Sequence, residues 1–444
     1  LSARPDHRFF VAPGGSLRGY LRVPGDKSIS HRAIMLASLA EGQTQISGFL
    51  EGADSLATLA AFRAMGVPIE GPKDGEVIVE GVGMQGLQAP SGPLDMGNSG
   101  TAMRLLAGLL AGQRFPATLI GDESLSRRPM RRVVEPLTQM GACIQASPSG
   151  TAPLLIEPTD ALHGIEYRLP MASAQVKSCL MLAGLYAQGE TCIHEPEPTR
   201  DHTERMLTAF GYPVRRQGLK VCLTGGGRLR SCRLQIPTDI SSAAFFLVGA
   251  SIAPGSDLLL EEVGINPTRV GVINLLRAMG ADIELLDRRM AGGEPVADIR
   301  VKAAPLHGIE IPAHQVPLAI DEFPALFIAA ACAQGETVLR GAAELRVKES
   351  DRIQVMADGL NRLGIKAESL ADGIRIQGGQ FGSATADQAI DAHGDHRIAM
   401  SFAIAALRAQ GPIEIRDCAN VETSFPGFAQ LAARAGLGIE EQRQ

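Results

Sequence analysis

The sequence has no tryptophan and only 4 tyrosines, with 14 phenylalanines in 444 residues. A protein that grips bases or sugars by stacking needs more aromatic surface than this. Long apolar runs are missing too: stretches such as Ala243–Ala253 fall well short of the ~20 residues that span a bilayer. The opening residues lack the charged-then-apolar pattern of a secretory signal. Positive charge is not in excess either, with 42 Lys+Arg against 48 Asp+Glu and a net charge of −6. That balance argues against a nucleic-acid coat or a membrane-surface protein. No two of the 7 cysteines form a CxxC pair. Cys143, Cys179, Cys192, Cys222, Cys232, Cys332 and Cys418 therefore read as reduced, buried thiols of a cytoplasmic protein, neither a disulfide framework nor a zinc site. No Walker A loop, GxGxxG turn or GxSxG elbow is found. His393, Asp395 and His396 lie close together but lack a partner cluster, so no metal is expected.

What is present is a repeat. Hydrophobic content of 45% and charged content of 20% fit a folded chain, and 50 glycines with 27 prolines imply frequent turns. Gly66, Gly141, Gly211, Gly280, Gly364 and Gly436 recur every ~70 residues, each closing an amphipathic run. The first five lead into a strand-like stretch, which predicts helix, glycine at C′, then strand. A second series (Gly42, Gly112, Gly189, Gly255, Gly335, Gly411) follows Ala-containing apolar helices. Each unit thus holds two helices and several strands. Six such units suit two α/β lobes of three units each, with the Ala-rich helices packed inside.

Polar residues collect just before these helices: Asp26-Lys27-Ser28 and Arg32, Asn98-Ser99-Gly100 and Arg104, Ser173-Ala174-Gln175, Asp239-Ile240-Ser241-Ser242, Asp321-Glu322, and Asp395-His396-Arg397. N-capping explains single Ser and Asp residues, with Ser242 and Asp54 as examples. It does not explain Lys27, Arg32, Arg128, Arg200, Lys348, Arg352 and Arg397, because cations at helix starts oppose the macrodipole. A bound anion would reverse that balance. Arg128 precedes Pro129, which suits N1, so Arg128 is expected at the cap of its helix. Arg131 and Arg132 read as a solvated helix face. If repeat geometry brings the starts to one side of each lobe, two facing lobes form a cleft for small, multiply anionic substrates.

Pro24–Arg32 closely resembles the N-terminal signature of the 5-enolpyruvylshikimate-3-phosphate synthase family of enolpyruvyl transferases. Gly97–Arg104, Arg346–Arg352 and Gly394–Arg397 resemble three further signatures, and the likeness covers essentially the whole chain. It implies an inside-out α/β barrel in two lobes of three βαβαββ repeats, joined by a two-strand hinge. Residues 24–240 would form one lobe, with 1–23 and 241–444 forming the other. The implied reaction moves the enolpyruvyl group of phosphoenolpyruvate to the 5-hydroxyl of shikimate 3-phosphate and releases phosphate. It belongs to the shikimate pathway of aromatic amino-acid synthesis and is a target of glyphosate.

By this resemblance, Ser28, Arg32, Ser173, Ala174, Gln175, Arg200, Asp321 and Lys348 hold shikimate 3-phosphate. Lys27, Gly100, Arg128, Gln175, Arg352 and Arg397 hold phosphoenolpyruvate. Lys27, Asp321 and Glu349 are the implied catalytic residues: Asp321, helped by Lys27, takes the hydroxyl proton, and Glu349 handles the proton at carbon. No metal or other cofactor is implied. The expected partners are small molecules, with neither nucleic acid nor membrane, and the expected form is a cytoplasmic monomer. Leu1 in place of Met is compatible with trimming, or with excision from a larger fused chain. One departure stands out: no Lys follows Lys366, although one branch of the family carries a Lys just before the final Thr-Phe-Pro. The rival readings are the related transferase acting on UDP-N-acetylglucosamine and a non-enzymatic polyanion-binding scaffold. The first expects a loop Cys and a Lys-Asn pair, whereas Ser28 follows Lys27 and no Cys precedes Cys143.

Overall fold

A computed structural model describes residues 7–383 and 389–443. Their α-helices are α1 (Lys27–Leu39), α2 (Ala53–Ala64), α3 (Gly100–Leu110), α4 (Arg131–Gln139), α5 (Ala174–Gly184), α6 (His202–Ala209), α7 (Ile240–Ile252), α8 (Gly271–Ala278), α9 (Phe323–Cys332), α10 (Arg352–Arg362), α11 (His396–Ala405), α12 (Val421–Ser424) and α13 (Phe428–Ala435). Helices α1, α3, α5, α7, α9 and α11 are small or apolar nearly all the way round. Every residue of α7 is buried, and so is every residue of α11. A helix without a polar face cannot lie on a surface, so these helices occupy the interior.

The chain divides into two units. Unit one takes the residues up to Pro24, Thr238–Arg289 and Pro295 onward; unit two takes Gly25–Pro237 and Met290–Glu294. The boundary at Pro237/Thr238 lies just ahead of Asp239, the cap of α7. The short segment Met290–Glu294 is a hairpin tip in the sequence of unit one, so no contiguous boundary captures it. In unit one, α7, α9 and α11 contact one another. In unit two, α3 packs against both α5 and α1.

Small sheets lie outside these helices, and each follows one plan. In the third repeat, Glu166–Arg168 runs parallel to Glu190–His194, which pairs antiparallel with Lys220–Thr224, which in turn pairs antiparallel with Arg215–Gln217. The crossover between the parallel strands is α5, as parallel pairing requires. The N-terminal segment completes two sheets of unit one. His7–Val11 inserts between Ile413–Arg416 and Ile439–Arg443, and Arg18–Leu21 pairs parallel with Asp257–Gly264.

The six glycines that mark the repeat all have φ between +78° and +114°. That region favours glycine, which explains their recurrence after each amphipathic helix. The sixth, Gly436, also leads into a strand, Ile439–Arg443, so the pattern is more regular than the sequence suggests. The cysteine reading needs correction. Cys192 and Cys222 face each other across antiparallel strands, with Cα atoms 4.2 Å apart, and are joined as a disulfide. Strand register, invisible in a sequence spacing, brings them together. Cys143 is exposed rather than buried.

The close approach of α3 to α5 depends on Gly108, where a Cβ would sit 2.0 Å from the Cys179 carbonyl oxygen. Backbone cannot yield as a side-chain tip can. We expect Gly108→Ala to destabilise the protein by about 1–3 kcal/mol, read as a lower denaturant midpoint with an unchanged slope.

Candidate functional site

In unit two the polar residues gather at the starts of α1, α3 and α5. Asp26 caps α1, its carboxylate accepting from the Ile29 N–H at 2.9 Å. Lys27, the first helical residue, places Nζ 3.0 Å from Asp54 Oδ2. One turn on, His31 hydrogen-bonds Thr58 Oγ1 at 2.7 Å through Nδ1 and Ser99 Oγ at 3.3 Å through Nε2. Burial, reinforced by the charges of Lys27 and Arg32, pushes the His31 pKa down to about 3, so the ring is neutral. Ser99 also caps α3, accepting from the Ala102 N–H at 3.1 Å. One neutral imidazole therefore couples the start of α1 to α2 and to the start of α3.

Arg32 is buried with every guanidinium nitrogen engaged. Nε donates to Thr203 Oγ1 at 2.7 Å, Nη1 to the Ser28 carbonyl at 2.7 Å and Nη2 to Ser178 Oγ at 2.8 Å. Burial lowers its pKa to about 10 against the opposing pull of Glu204, so it remains a cation at neutral pH. The charge of Arg200, just before α6, adds to that lowering, so two cations share this neighbourhood.

At the start of α3, a Cβ on Gly100 would lie 2.9 Å from Arg104 Nη1 and 3.3 Å from Arg128 Nη1. Arg104 Nη1 donates to Gln175 Oε1 at 2.7 Å, and Gln175 Nε2 donates to Thr101 Oγ1 at 3.0 Å. Arg128 Nη2 donates to Asn98 Oδ1 at 2.6 Å. Ser173 caps α5, directly ahead of Ala174 and Gln175. Gly100, Arg128, Ser173, Ala174 and Gln175 are thus held around one rim.

Unit one builds a second cluster on Asp395. This fully buried carboxylate caps α11, accepting from the Arg397 N–H at 2.9 Å. It also accepts from Arg352 Nε at 2.8 Å, Arg352 Nη2 at 3.2 Å and Ser350 Oγ at 3.0 Å. Arg352 Nη2 reaches Glu349 Oε2 at 2.6 Å, and Nη1 lies 3.5 Å from Asp321 Oδ1. Lys348 Nζ is 3.5 Å from the same Asp321 oxygen and 3.0 Å from Glu344 Oε1. Burial by itself would weaken the charge on Arg352, but Asp395, Glu349 and Asp321 outweigh it and raise its pKa. The structure therefore brings Asp321, Lys348, Glu349 and Arg352 together, with Arg397 in the first turn of α11.

Three sequence expectations change. Arg128 does not cap α4, which begins at Arg131 after Met130; it ends the short 3₁₀ turn Leu125–Arg127, and that bend aims it at Asn98. Asp54 and Ser242 are not caps, because Gly52 precedes α2 and Asp239 caps α7. The basic helix starts do not need a bound anion to be tolerated: Asp26 and Asp54 accompany Lys27, and Asp351, Glu349 and Asp395 accompany Arg352. Asn98, Arg104 and Asp395 stand among the polar helix starts noted in the sequence but carried no assigned role there, and Ser178 and Thr203 were not singled out. The cap position of Asp395 was a usable signal, because it matches that of Asp26 and Ser99. Ser178 and Thr203 carry none, since only the approach of α5 and α6 to α1 gives them a role.

A family model described as EPSP synthase (3-phosphoshikimate 1-carboxyvinyltransferase) matches residues 11–431. The chain is 67% identical over 432 residues to a 3-phosphoshikimate 1-carboxyvinyltransferase of Alkalilimnicola ehrlichii, covering 97% of this chain and 96% of that protein. It is 67% identical over 431 residues to the protein of the same name from Nitrosococcus oceani, with the same two coverages. Among solved structures, an EPSP synthase from Acinetobacter baumannii superposes with a TM-score of 0.88 at 59% identity, covering 98% of this chain and 100% of that one. The enolpyruvyl transferase NikO from Streptomyces tendae shares the fold at a TM-score of 0.76 and 16% identity, over 99% of this chain and 100% of that one.

His31 makes acid stability testable. Its folded pKa lies below the unfolded value of ~6.5, so the unfolded chain binds one more proton between them. Its share of stability is complete above that range and falls with decreasing pH, by up to about 1.4 kcal/mol per pH unit. We expect His31→Gln to flatten the fall in denaturant midpoint between neutral pH and pH ~4.

Proposed function

The chain belongs to the EPSP synthase (3-phosphoshikimate 1-carboxyvinyltransferase) family, and from that membership we propose how its residues divide the reaction. The enzyme is a transferase of the shikimate pathway. It moves the enolpyruvyl group of phosphoenolpyruvate to the 5-hydroxyl of shikimate 3-phosphate, and phosphate leaves. The observation that carries the division is the juxtaposition of Asp321, Lys348 and Glu349 around one buried guanidinium, Arg352.

Unit two supplies binding groups. Ser28, Arg32, Ser173, Ala174, Gln175 and Arg200 are assigned to shikimate 3-phosphate. Arg32 suits a phosphate because three protein acceptors fix its fork before any ligand arrives. Lys27, Gly100, Arg128 and Gln175 are assigned to phosphoenolpyruvate, with the missing Cβ of Gly100 leaving room beside two guanidinium groups.

Unit one supplies the proton-handling groups. Asp321, beside Lys348, accepts the proton of the 5-hydroxyl as the oxygen attacks, with Lys27 assisting. Glu349 delivers a proton to the methylene carbon, and the central carbon becomes tetrahedral. When the intermediate collapses, Glu349 takes a proton back from that methyl group as phosphate leaves. Arg352 and Arg397 bind the phosphoenolpyruvate anion. Asp395 and Glu349 take Nε and Nη2 of Arg352 at 2.6–3.2 Å, whereas Nη1 has only the longer 3.5 Å contact to Asp321, so Nη1 is the nitrogen assigned to substrate. Small molecules are the proposed partners, and a cytoplasmic monomer is the proposed working form. Among the described residues, no helix is long and apolar enough to cross a membrane.

Phosphate release should require both substrates and fail with either alone; release without shikimate 3-phosphate would defeat the assignment. Glu349→Gln should lower kcat by about 10²–10⁴-fold, and near-normal turnover would remove Glu349 from the proton steps. Lys27→Ala should lower activity as well. Gly100→Ala should raise the KM for phosphoenolpyruvate more than it lowers kcat, because its new methyl group displaces Arg104 and Arg128.

A further inference from the structure

The third repeat of unit two carries a feature the transfer reaction does not use. Four residues stand in register across its sheet: Glu166, Cys192, Cys222 and Arg215. Side chains alternate faces along a strand. Ile193, Val221 and Leu223 belong to the hydrophobic core of the unit, and the two cysteines do not. The sulfurs therefore lie on the outer face of the sheet. The two residues are buried, at 5% and 6% exposed, yet neither belongs to that core cluster. By the same alternation, long charged side chains share that face: Arg215 paired with Glu190, and Lys220 and His194 paired with Glu166. The Arg215 and Glu190 side chains are themselves 63% and 42% exposed, so they can swing aside.

We propose that Cys192 and Cys222 form a reversible thiol–disulfide site, open to exchange with a dithiol reductant. A thiolate of the reductant attacks Cys192 Sγ, the S–S bond breaks, and Cys222 leaves as a thiolate beside Arg215. The second thiolate of the reductant then displaces Cys192, and the reductant leaves as a disulfide. Two electrons have passed to the protein, and two protons complete its thiols. Arg215 and Lys220 favour the thiolate that departs. Glu190 Oε2, 3.4 Å from Cys192 Sγ, is placed to accept the thiol hydrogen of reduced Cys192.

The bridge closes a segment with a sequence separation of 30. That segment carries Arg200 and α6, and so Thr203, the acceptor for Arg32 Nε. Closing a loop restricts its conformations. The bridged form therefore holds Thr203 and Arg200 more tightly than the open form. This last consequence rests on assigning Arg32 and Arg200 to shikimate 3-phosphate; the thiol exchange does not.

The test equilibrates the full chain, under native conditions, in dithiothreitol buffers from fully oxidised to fully reduced. Acid quenching, alkylation and peptide mass mapping then read each cysteine. Cys192 and Cys222 should gain label together in one two-electron transition that runs in both directions, whereas Cys143 should label throughout. A pair that stays bridged at the reducing end, or stays open at the oxidising end, overturns the proposal. Cys192→Ser should leave Cys222 labelled at every ratio; protection of Cys222 in that variant would assign it another partner and equally overturn the pairing. Reduction should raise the KM for shikimate 3-phosphate severalfold in the native sequence and leave it unchanged in Cys192→Ala/Cys222→Ala. Equal KM values in the two states of the native sequence overturn the link to Arg32.

Discussion

The complete burial of the central helices governs this molecule. A helix such as α7 or α11, buried at every residue, has nowhere to present a charge along its length. Its first turn is different, because four backbone N–H groups there lack helical acceptors and must find others. Asp26, Ser99, Ser173, Asp239 and Asp395 supply them. Polar chemistry is thus confined to the helix starts by the same burial that builds the core. The sheets outside seal the units, and the candidate site residues collect where the caps are.

Asp395 carries two structural duties at once. It caps α11, and the same carboxylate grips Arg352 from α10 and Ser350. With Glu349 and Asp321 on its other nitrogens, Arg352 is oriented before any ligand arrives. Removing one partner of such a buried group strands the others, which typically costs about 3–5 kcal/mol. In unit two His31 has a parallel place. Because it is neutral, it can lie between Thr58 and Ser99 without adding to the positive charge of Lys27 and Arg32. The guanidinium groups are therefore held in position by their own counter-charges and neutral bridges.

The repeat was legible because its marker is a backbone requirement. Gly66 and its five counterparts take positive φ at helix ends, a conformation other residues adopt at a cost, so the spacing survives where flanking sequence varies. The motif residues were legible because caps and cations stand next to each other in sequence. The orientation of Arg128 was not legible, since a single bend moved it from a helix cap to Asn98. Thr203, Ser178 and the Cys192–Cys222 bridge depend on which helices and strands come to lie side by side, and no local pattern reports that.

The sequence by itself determined the six-fold repeat, the burial of the Ala-rich helices and the identity of the charged residues at their starts. Each of these follows from local conformational preference or from hydrophobic periodicity, which act within a turn or two of chain. Tertiary structure alone decided which carboxylate meets which guanidinium, which hydroxyl fixes Arg32 and which cysteines touch. Apart from the local Glu349–Arg352 pair, those are contacts between segments well apart in the chain, and their distances are set by strand register and helix packing rather than by the residues' neighbours in sequence.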